Sequence, residues 1–223
     1  EAVQRAGEFL LGSYSNQNKI KTISERDVKI EEDVFSEEII LDKLCHSGYS
    51  ILSEEKGELS SDGDSELRWI VDPLDGTYNY LRRIPFCAVS LALWKGEEPI
   101  FGIVNSFCLH EIFIGIVGTG AWCNGNSIQS GRSDTPKNSI IASGFPSNFK
   151  FSENSVSALL EDAAAYKKIR MLGSAATSLA YLAAGRIDAY REENIMLWDV
   201  AGGLAIVKAA GGTYSCIRSG DAN

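Results

Sequence analysis

Residues 69–77, Trp-Ile-Val-Asp-Pro-Leu-Asp-Gly-Thr, constrain the fold of this chain more than any other stretch. Its first three residues are apolar and partly β-branched, which predicts a short buried strand. The strand ends in two carboxylates, Asp72 and Asp75, and Pro73 and Gly76 predict a turn around them. Two acids at the end of a buried strand are costly unless a cation joins them.

This turn has the composition of a metal and phosphate site. Hard cations take oxygen ligands, and Mg2+ is typically held by one or two carboxylates together with substrate phosphate. Thr77 predicts the start of a short helix, where the free amides of Gly76 and Thr77 would favour an anion. The stretch alone leaves a second interpretation open, in which the acids cap their own backbone in an Asp-rich turn.

The acidic net charge of the chain limits the classes of partner that it can bind. A net charge of −9 over 223 residues argues against a broad basic surface for nucleic acid. The same charge would repel a phosphorylated substrate unless cations intervene, which again indicates a metal. The sequence shows neither an apolar stretch of transmembrane length nor a signal peptide, so we expect a cytoplasmic protein without a membrane partner.

The cysteines and histidines do not suggest a site of their own. The five cysteines are scattered and form no C-x-x-C pair, which is typical of reduced thiols in an intracellular protein. His46 and His110 are the two histidines, and neither lies in a hydrolase-like context. A zinc site and a Ser-His-Asp triad are therefore not predicted.

The order of predicted elements divides the chain into two halves of one compact catalytic unit. Residues 1–126 form an α+β half that carries the metal-binding motifs, and residues 127–223 form an α/β half in which strands and helices alternate. We expect the C-terminal part to be incomplete. Helices are predicted over residues 1–12, 27–44, 152–165, 173–184 and 199–210, and a polar loop over 58–66. Strands are predicted over residues 49–52, 69–71, 87–94, 99–105, 111–117, 139–142, 169–172, 187–190 and 213–216.

Two further acidic positions repeat the arrangement at Asp72. Glu54 and Glu55 follow directly on a predicted strand, although a solvated charged turn is the interpretation that such a pair would normally favour by itself. Asp199 lies at a predicted helix N-terminus, where a simple N-cap is the alternative. Gly202 and Gly203 within that helix each cost about 1 kcal/mol relative to Ala, which indicates close packing against a neighbour.

Taken together, these stretches resemble the inositol monophosphatase family of Mg2+-dependent, lithium-sensitive phosphatases. The resemblance spans most of the chain and rests on five stretches in the expected order. They are Glu54 with Glu55, residues 72–77, residues 173–175 (Gly-Ser-Ala), Glu192, and residues 198–203 (Trp-Asp-Val-Ala-Gly-Gly). The resemblance implies an α/β (α+β) fold of the sugar-phosphatase type, a layered αβαβα sandwich.

The resemblance also implies two to three Mg2+ ions in the active site. Glu54, Asp72 and the carbonyl of Leu74 would hold one ion, and Asp72, Asp75 and Asp199 a second. A weaker third ion is expected near Glu54.

The resemblance assigns the remaining site residues to catalysis and to substrate. Thr77 and Asp33 match the pair that orients the attacking water, and with Glu54 they form the predicted catalytic group. The expected substrate contacts, including the amides of Gly76 and Thr77 that would grip phosphate, are Asp75, Gly76, Thr77, Gly173, Ser174, Ala175 and Glu192. The implied substrate is a small phosphorylated polyol or sugar, and the implied assembly is a homodimer.

The chain departs from the family pattern at two places, and the substrate stays open. Ser53 stands where many members have Gly, a change that we expect to be tolerated, and Lys29 to Glu32 lack the Thr that is common before Asp33. An inositol or sugar monophosphate is the leading substrate. Histidinol-phosphatase, fructose-1,6-bisphosphatase and 3'(2'),5'-bisphosphate nucleotidase are alternatives, as is a non-catalytic metal-binding partner protein. The haloacid dehalogenase motif does not fit, because two residues separate Asp72 from Asp75 where that motif has one.

Overall fold

A computed structural model describes residues 1–14, 20–23, 28–60, 66–131, 133, 135–146 and 149–217. These residues form six α-helices: α1 (Ala2–Ser13), α2 (Glu31–Leu44), α3 (Thr77–Leu81), α4 (Glu153–Ala165), α5 (Ala175–Ala183) and α6 (Leu197–Ala209). None of them is both long enough and apolar enough to cross a lipid bilayer.

The strands form three sheets. They are β1 (Ile20–Ile23), β2 (Val28–Ile30), β3 (Ser50–Ser53), β4 (Gly57–Leu59), β5 (Leu67–Asp75), β6 (Ala88–Lys95), β7 (Glu98–Ser106), β8 (Glu111–Ile116), β9 (Gly120–Cys123), β10 (Asn126–Ile128), β11 (Ile140–Ser143), β12 (Lys168–Arg170) and β13 (Ala189–Arg191). Strands β1 and β2 pair with each other, and the large sheet has the order β10-β9-β8-β7-β6-β5-β3-β4. The small sheet has the order β12-β11-β13.

The large sheet is a meander with one parallel pair. Strands β5 to β10 pair antiparallel in sequence order, and β9 and β10 close on the Asn124-Gly125 turn. Strand β3 runs parallel to β5, with Ser53 opposite Val71. Because the two strands are parallel, Glu54 and Asp72 emerge from the same end of the sheet.

Helices cover both faces of the large sheet. On one face Val71 and Val89 pack with α1 and α2, in a cluster that includes Leu10 and Ile40. Ile70, which precedes Val71 in β5, faces the other side of the sheet and packs with α5 and α6. This alternation follows from the period of two in a strand and gives β5 the continuous apolar run seen in the sequence.

The small sheet completes the layered order. All of its pairings are parallel, α5 contacts β13, and α4 contacts β12. The succession is therefore α1 and α2, the large sheet, α5 and α6, the small sheet, and α4. The predicted layered αβαβα architecture is confirmed.

Glycines allow α6 to approach the large sheet closely. A Cβ at Gly202 would lie 2.4 Å from Ser90 Oγ, and one at Gly203 would lie 2.4 Å from Leu179 Cβ. A Cβ at Gly102 on β7 would lie 2.2 Å from the carbonyl oxygen of Gly202. The close packing predicted from the Gly202-Gly203 pair is thus present, and its partners are β6, β7 and α5.

Four predicted boundaries are wrong. Strand β5 continues to Asp75, four residues beyond the predicted end at Val71, because its pairing with β6 resumes after a bulge. Helix α2 begins at Glu31, because residues 28–30 pair with β1, and position 27 lies outside the described residues. The predicted 58–66 loop overlaps β4, which pairs with β3, while residues 61–65 are not described. Residues 213–216 form no strand, since no described residue pairs its backbone with them.

Candidate metal and phosphate site

A bulge at the end of β5 presents both carboxylates of the central motif. Asp72 lies opposite Ser90 and Asp75 opposite Ala88, so three steps along β5 match two along β6. Pro73 lies in this bulge, where its missing N–H removes no ladder bond. Asp72 is 1% and Asp75 8% exposed, and the backbone N–H of Leu74 donates to Asp72 Oδ1 at 3.1 Å. The bulge therefore buries two acids that an uninterrupted strand would direct apart.

Gly76 is required at the turn that follows. Its φ is +86°, and a Cβ would lie 2.9 Å from the carbonyl oxygen of Phe86 and 3.1 Å from that of Gly173. Only glycine avoids both the left-handed strain and the clash. The chain consequently enters α3 with the backbone of Gly76 pressed against two other segments of the site.

Thr77 and Asp33 meet across 44 positions of sequence, as predicted. The Thr77 hydroxyl lies 3.4 Å from Asp33 Oδ1 and 3.0 Å from the Leu74 carbonyl oxygen. The backbone N–H of Ile30 donates to Asp33 Oδ2 at 2.8 Å, so Asp33 also closes the first turn of α2. Burial raises the pKa of Asp33 to about 7, against the lowering effect of that backbone hydrogen bond.

Asp75 is the most fully hydrogen-bonded acid of the site. Ser174 Oγ donates to its Oδ2 at 2.5 Å, and the backbone N–H groups of Ala175 and Ala176 donate at 3.3 and 2.8 Å. Burial raises the pKa of Asp75 to about 6, and these bonds, led by that of Ser174, hold the pKa down. The structure thus joins residues 173–176 to the carboxylate of the central motif.

Glu54 and Asp72 are neighbours at the same end of the large sheet, and their side chains are hydrogen-bonded to each other. Burial and the charge of Asp199 raise the pKa of Glu54 to about 8. Burial and then the charge of Glu54 raise the pKa of Asp72 well above its usual range. No described residue forms a hydrogen bond with the buried Oδ2 of Asp72. Glu55 forms an ion pair with Lys29 at 2.8 Å, and its charge also raises the pKa of Glu54 and of Asp33.

Asp199 lies in the first turn of α6, three residues after the N-cap residue Met196. The N–H of Met196 donates to its Oδ2 at 3.0 Å, so Asp199 does stabilise its own helix end. Its charge nevertheless acts on both Glu54 and Asp72. The structure therefore supports both interpretations of this residue, the helix-capping one and the site one.

Glu192 lies beyond β13, over Gly144. A Cβ at Gly144 would lie 2.7 Å from Glu192 Oε1, and Tyr190 Oη donates to Glu192 Oε2 at 2.7 Å. Burial raises the pKa of Glu192 to about 7, the Tyr190 hydrogen bond lowers it, and the charge of Asp75 raises it further. Glu192 thus faces the same acidic region as Asp75.

The acids fit a hard divalent cation by chemistry, and the cluster is open. The donors are all oxygens, one of them is buried without a hydrogen bond, and each neighbouring carboxylate destabilises the others. In the described part of the chain, no three His, Cys, Asp or Glu side chains lie close enough together to hold an ion. The carboxylates would therefore have to draw inward on binding.

Sequence reasoning missed Asn79, which ties three segments of the site together. Its Nδ2 lies 2.7 Å from the carbonyl oxygens of both Phe86 and Leu172, and 3.2 Å from that of Gly173. It holds α3 beside the turn that precedes α5. Its only signal in the sequence is its place two residues after Thr77, because its partners lie as far as 94 positions away.

Known proteins resemble this chain over nearly its whole length. The sequence model of the inositol monophosphatase family matches residues 1–221. A protein named Nus factor SuhB from Xylella fastidiosa is 35% identical over 100% of this chain and 82% of its own length. An inositol-1-monophosphatase from Mesorhizobium japonicum is 33% identical over 99% of this chain and 84% of its own length.

A crystal structure shows the same likeness in three dimensions. The extragenic suppressor protein SuhB from Bartonella henselae superposes with a TM-score of 0.88 at 33% identity, covering 94% of this chain and 82% of that one. The layered fold and the match to the family model identify a phosphatase of the inositol monophosphatase superfamily. Within it, the chain belongs to the inositol monophosphatase family.

Proposed function

We propose that this protein is a Mg2+-dependent phosphomonoesterase that hydrolyses an inositol or sugar monophosphate by attack of an activated water. The observation that carries the proposal is the group of acids at Glu54, Asp72 and Asp199: burial and then neighbouring charge, including that of Asp199, raise the pKa of Glu54 and Asp72, and Asp72 Oδ2 accepts no hydrogen bond from the described residues. Such a cluster is stabilised by a cation and destabilised without one.

Two overlapping sets of oxygens would hold the metal ions. Glu54, Asp72 and the Leu74 carbonyl would hold one Mg2+, and Asp72, Asp75 and Asp199 a second, with a weaker third near Glu54. When bound, the ions would neutralise phosphate charge, lower the pKa of a water and stabilise the departing alkoxide. Asp72 belongs to both sets, and its Oδ2, which accepts no hydrogen bond from the described residues, is available to a metal ion.

Asp33 and Thr77 would orient the water. The Thr77 hydroxyl donates to Asp33 or to the Leu74 carbonyl, and its lone pairs then face away from both acceptors. A water that donates to those lone pairs is held with its own oxygen directed at the phosphorus. Asp33, with a pKa near neutrality, can hold or release a proton at its Oδ1.

The substrate would lie between the β5 bulge and the loop after β13. The amides of Gly76 and Thr77 would donate to phosphate oxygens. Residues 173–175 and Glu192 would contact the alcohol part, where the Glu192 carboxylate can accept from a hydroxyl or an amine. Asp75 joins the two regions, since it is hydrogen-bonded to Ser174 and acts electrostatically on Glu192.

Phosphate release tests the function directly. Turnover is measured with Mg2+ and with EDTA on inositol 1-phosphate, a hexose monophosphate, histidinol phosphate, fructose 1,6-bisphosphate and 3'-phosphoadenosine 5'-phosphate. One strong Mg2+-dependent reaction on a polyol or sugar monophosphate supports the proposal. A strong reaction on one of the last three substrates alone would assign the chain to that activity instead.

A second candidate function is that of a metal-binding partner protein without turnover. The observation that favours it is the name of the Xylella relative, which describes a factor and not an enzyme. Tight Mg2+ binding without phosphate release from any of the five esters would establish this alternative, and Mg2+-dependent turnover would remove it.

Location and assembly are further proposals of the same kind. All five cysteines are free thiols, which supports a reducing compartment such as the cytoplasm. Phe151, Val156 and Leu160 are 57%, 42% and 63% exposed, and this apolar surface supports a homodimer contact. Light scattering of the purified protein distinguishes a dimer from a monomer.

A further inference from the structure

Glu37 on α2 is fully buried and holds the turn that carries Glu54. Ser53 Oγ donates to Glu37 Oε1 at 2.5 Å, and the backbone N–H of Lys56 donates to the same oxygen at 3.0 Å. Glu37 Oε2 accepts no hydrogen bond from the described residues and faces Lys56 Nζ at 3.9 Å. These bonds attach both ends of the turn, Ser53 and Lys56, to the Glu37 side chain, and Glu54 lies between them.

The preceding residue of the same helix holds the other acidic segment. Ser36 Oγ donates to the carbonyl oxygen of Pro73 at 2.7 Å, and both groups are buried. Pro73 lies between Asp72 and Leu74 in the β5 bulge. Adjacent residues of α2 thus contact the two segments whose carboxylates belong to the same proposed metal set.

We propose that Ser36 and Glu37 are positioning residues, which set the separation of Glu54 from Asp72 and thereby the affinity of the metal site. The inference rests on the proposed function and adds residues that touch neither metal nor substrate. Glu54 directly follows β3 and Asp72 lies in the neighbouring parallel strand β5, so the separation of the two side chains depends on a restraint of the backbone segments that carry them. Helix α2 supplies that restraint because it is packed in the core through Ile40, Leu41 and Leu44.

Ser53 supplies one of the hydrogen bonds that attach the turn of Glu54 to Glu37. The sequence places Ser here where glycine is common in the family, and the hydroxyl is fully buried against Glu37. A glycine at this position would leave Glu37 Oε1 with the Lys56 amide alone. The serine therefore adds a hydrogen bond directly beside a proposed metal ligand.

Mn2+ binding to the metal-free protein, measured by titration calorimetry, tests the inference without turnover. Ser36→Ala and Ser53→Ala should each weaken Mn2+ binding roughly two- to tenfold, the range that corresponds to one lost hydrogen bond. Glu37→Ala should weaken it further. Glu37→Gln should lie nearer to the wild type, because its amide oxygen can still accept from Ser53 and Lys56.

Ser139→Ala is the matched control. Its hydroxyl is also buried, donates to the carbonyl oxygen of Thr135 at 2.7 Å and lies 2.6 Å from Ser133 Oγ, but it directly precedes β11 of the small sheet. It should lower the melting temperature of the metal-free protein as much as Ser36→Ala does, with Mn2+ affinity unchanged. If Glu37→Ala fails to fold, the two serine variants still decide the question.

The outcomes separate this inference from the proposed function. Wild-type Mn2+ affinity in Ser36→Ala and Ser53→Ala, together with normal wild-type turnover, would overturn the inference alone. Weakened binding in both variants supports the inference. If no protein in that series releases phosphate, the proposed enzyme is refuted while the positioning role stands.

Discussion

The two sheets of this molecule differ in how far they are buried. The large sheet has helices on both faces, and β5 has six consecutive buried residues at its end, from Ile70 to Asp75. The small sheet has α4 as its outer cover, and none of that helix's residues is buried. The proposed metal ligands emerge from the large sheet and its helices, whereas Glu192 follows the edge strand β13 of the small one. The well-buried large sheet would hold the proposed metal ligands in place, whereas the more exposed small sheet carries the residue that we propose selects the substrate.

The largest expected effect is on turnover and arises at the large sheet. Asp72→Asn should lower kcat at least about a thousandfold, because it removes the oxygen shared by both proposed metal sets and with it several kcal/mol of transition-state stabilisation. Steady-state phosphate release measures it. Asp162→Asn on α4 is the control and should retain near-normal turnover; an active Asp72→Asn protein would exclude the metal assignment.

The next largest effect should be on stability, where substitutions in the large-sheet core and in α4 should differ. Phe113 is fully buried in the large-sheet core, so Phe113→Ala should lower the free energy of unfolding by about 3–5 kcal/mol. Leu160 on α4 is 63% exposed, and Leu160→Ala should change it by about 0.5 kcal/mol or less. Urea denaturation measures both. Equal losses would show that α4 is as well buried as the core, for instance in a dimer contact.

The pH dependence of stability should reveal the half-buried Glu192. Its pKa of about 7 in the folded state exceeds the usual 4.5, so its stabilising contribution is complete at pH values below 4.5 and is lost as the pH rises to about 7. In EDTA, the unfolding free energy of the wild type should fall by about 2 kcal/mol relative to Glu192→Gln over this interval. Parallel curves would mean that Glu192 is solvated.

The smallest effect should be one of selectivity. Glu192→Gln should lower kcat/KM for a polyol or sugar phosphate about tenfold, the effect of one charged hydrogen bond, and spare hydrolysis of an aryl phosphate. Kinetics on both esters measure the ratio. Equal losses on both esters would place Glu192 in the chemistry instead of substrate choice, and would weaken the contrast between the two layers.

Local patterns predicted most of the fold, and the failures have a common cause. The strands predicted over residues 87–94, 99–105 and 111–117 match β6, β7 and β8, and the helices predicted over 1–12 and 199–210 match α1 and α6, to within two residues at each end. Residues 213–216 have the composition of a strand, but no described neighbour pairs with them. Residues 28–30 look helical, but they pair with β1. Strand formation depends on a partner, which the local sequence does not contain.

The sequence by itself determined which groups are present and how each one leaves its element. Gly76 and Thr77 lie at the strand-to-helix turn that their own composition predicts, directly after the two acids of β5. The order of the five motifs was sufficient to indicate the family. These features are local, since they depend on dihedral preferences and side-chain chemistry that nearby residues control.

The family resemblance paired Asp33 with Thr77, but only the tertiary structure decided the other contacts and the distance of each one. Asp33 reaches Thr77, Asp75 reaches Ser174, and Glu37 reaches Ser53 across intervals that sequence spacing does not constrain. The raised pKa values of Glu54 and Asp72 arise in the same way, because burial and neighbouring charge are properties of packed layers. Whether a carboxylate binds a metal ion or holds a backbone segment depends on the groups that the fold places beside it.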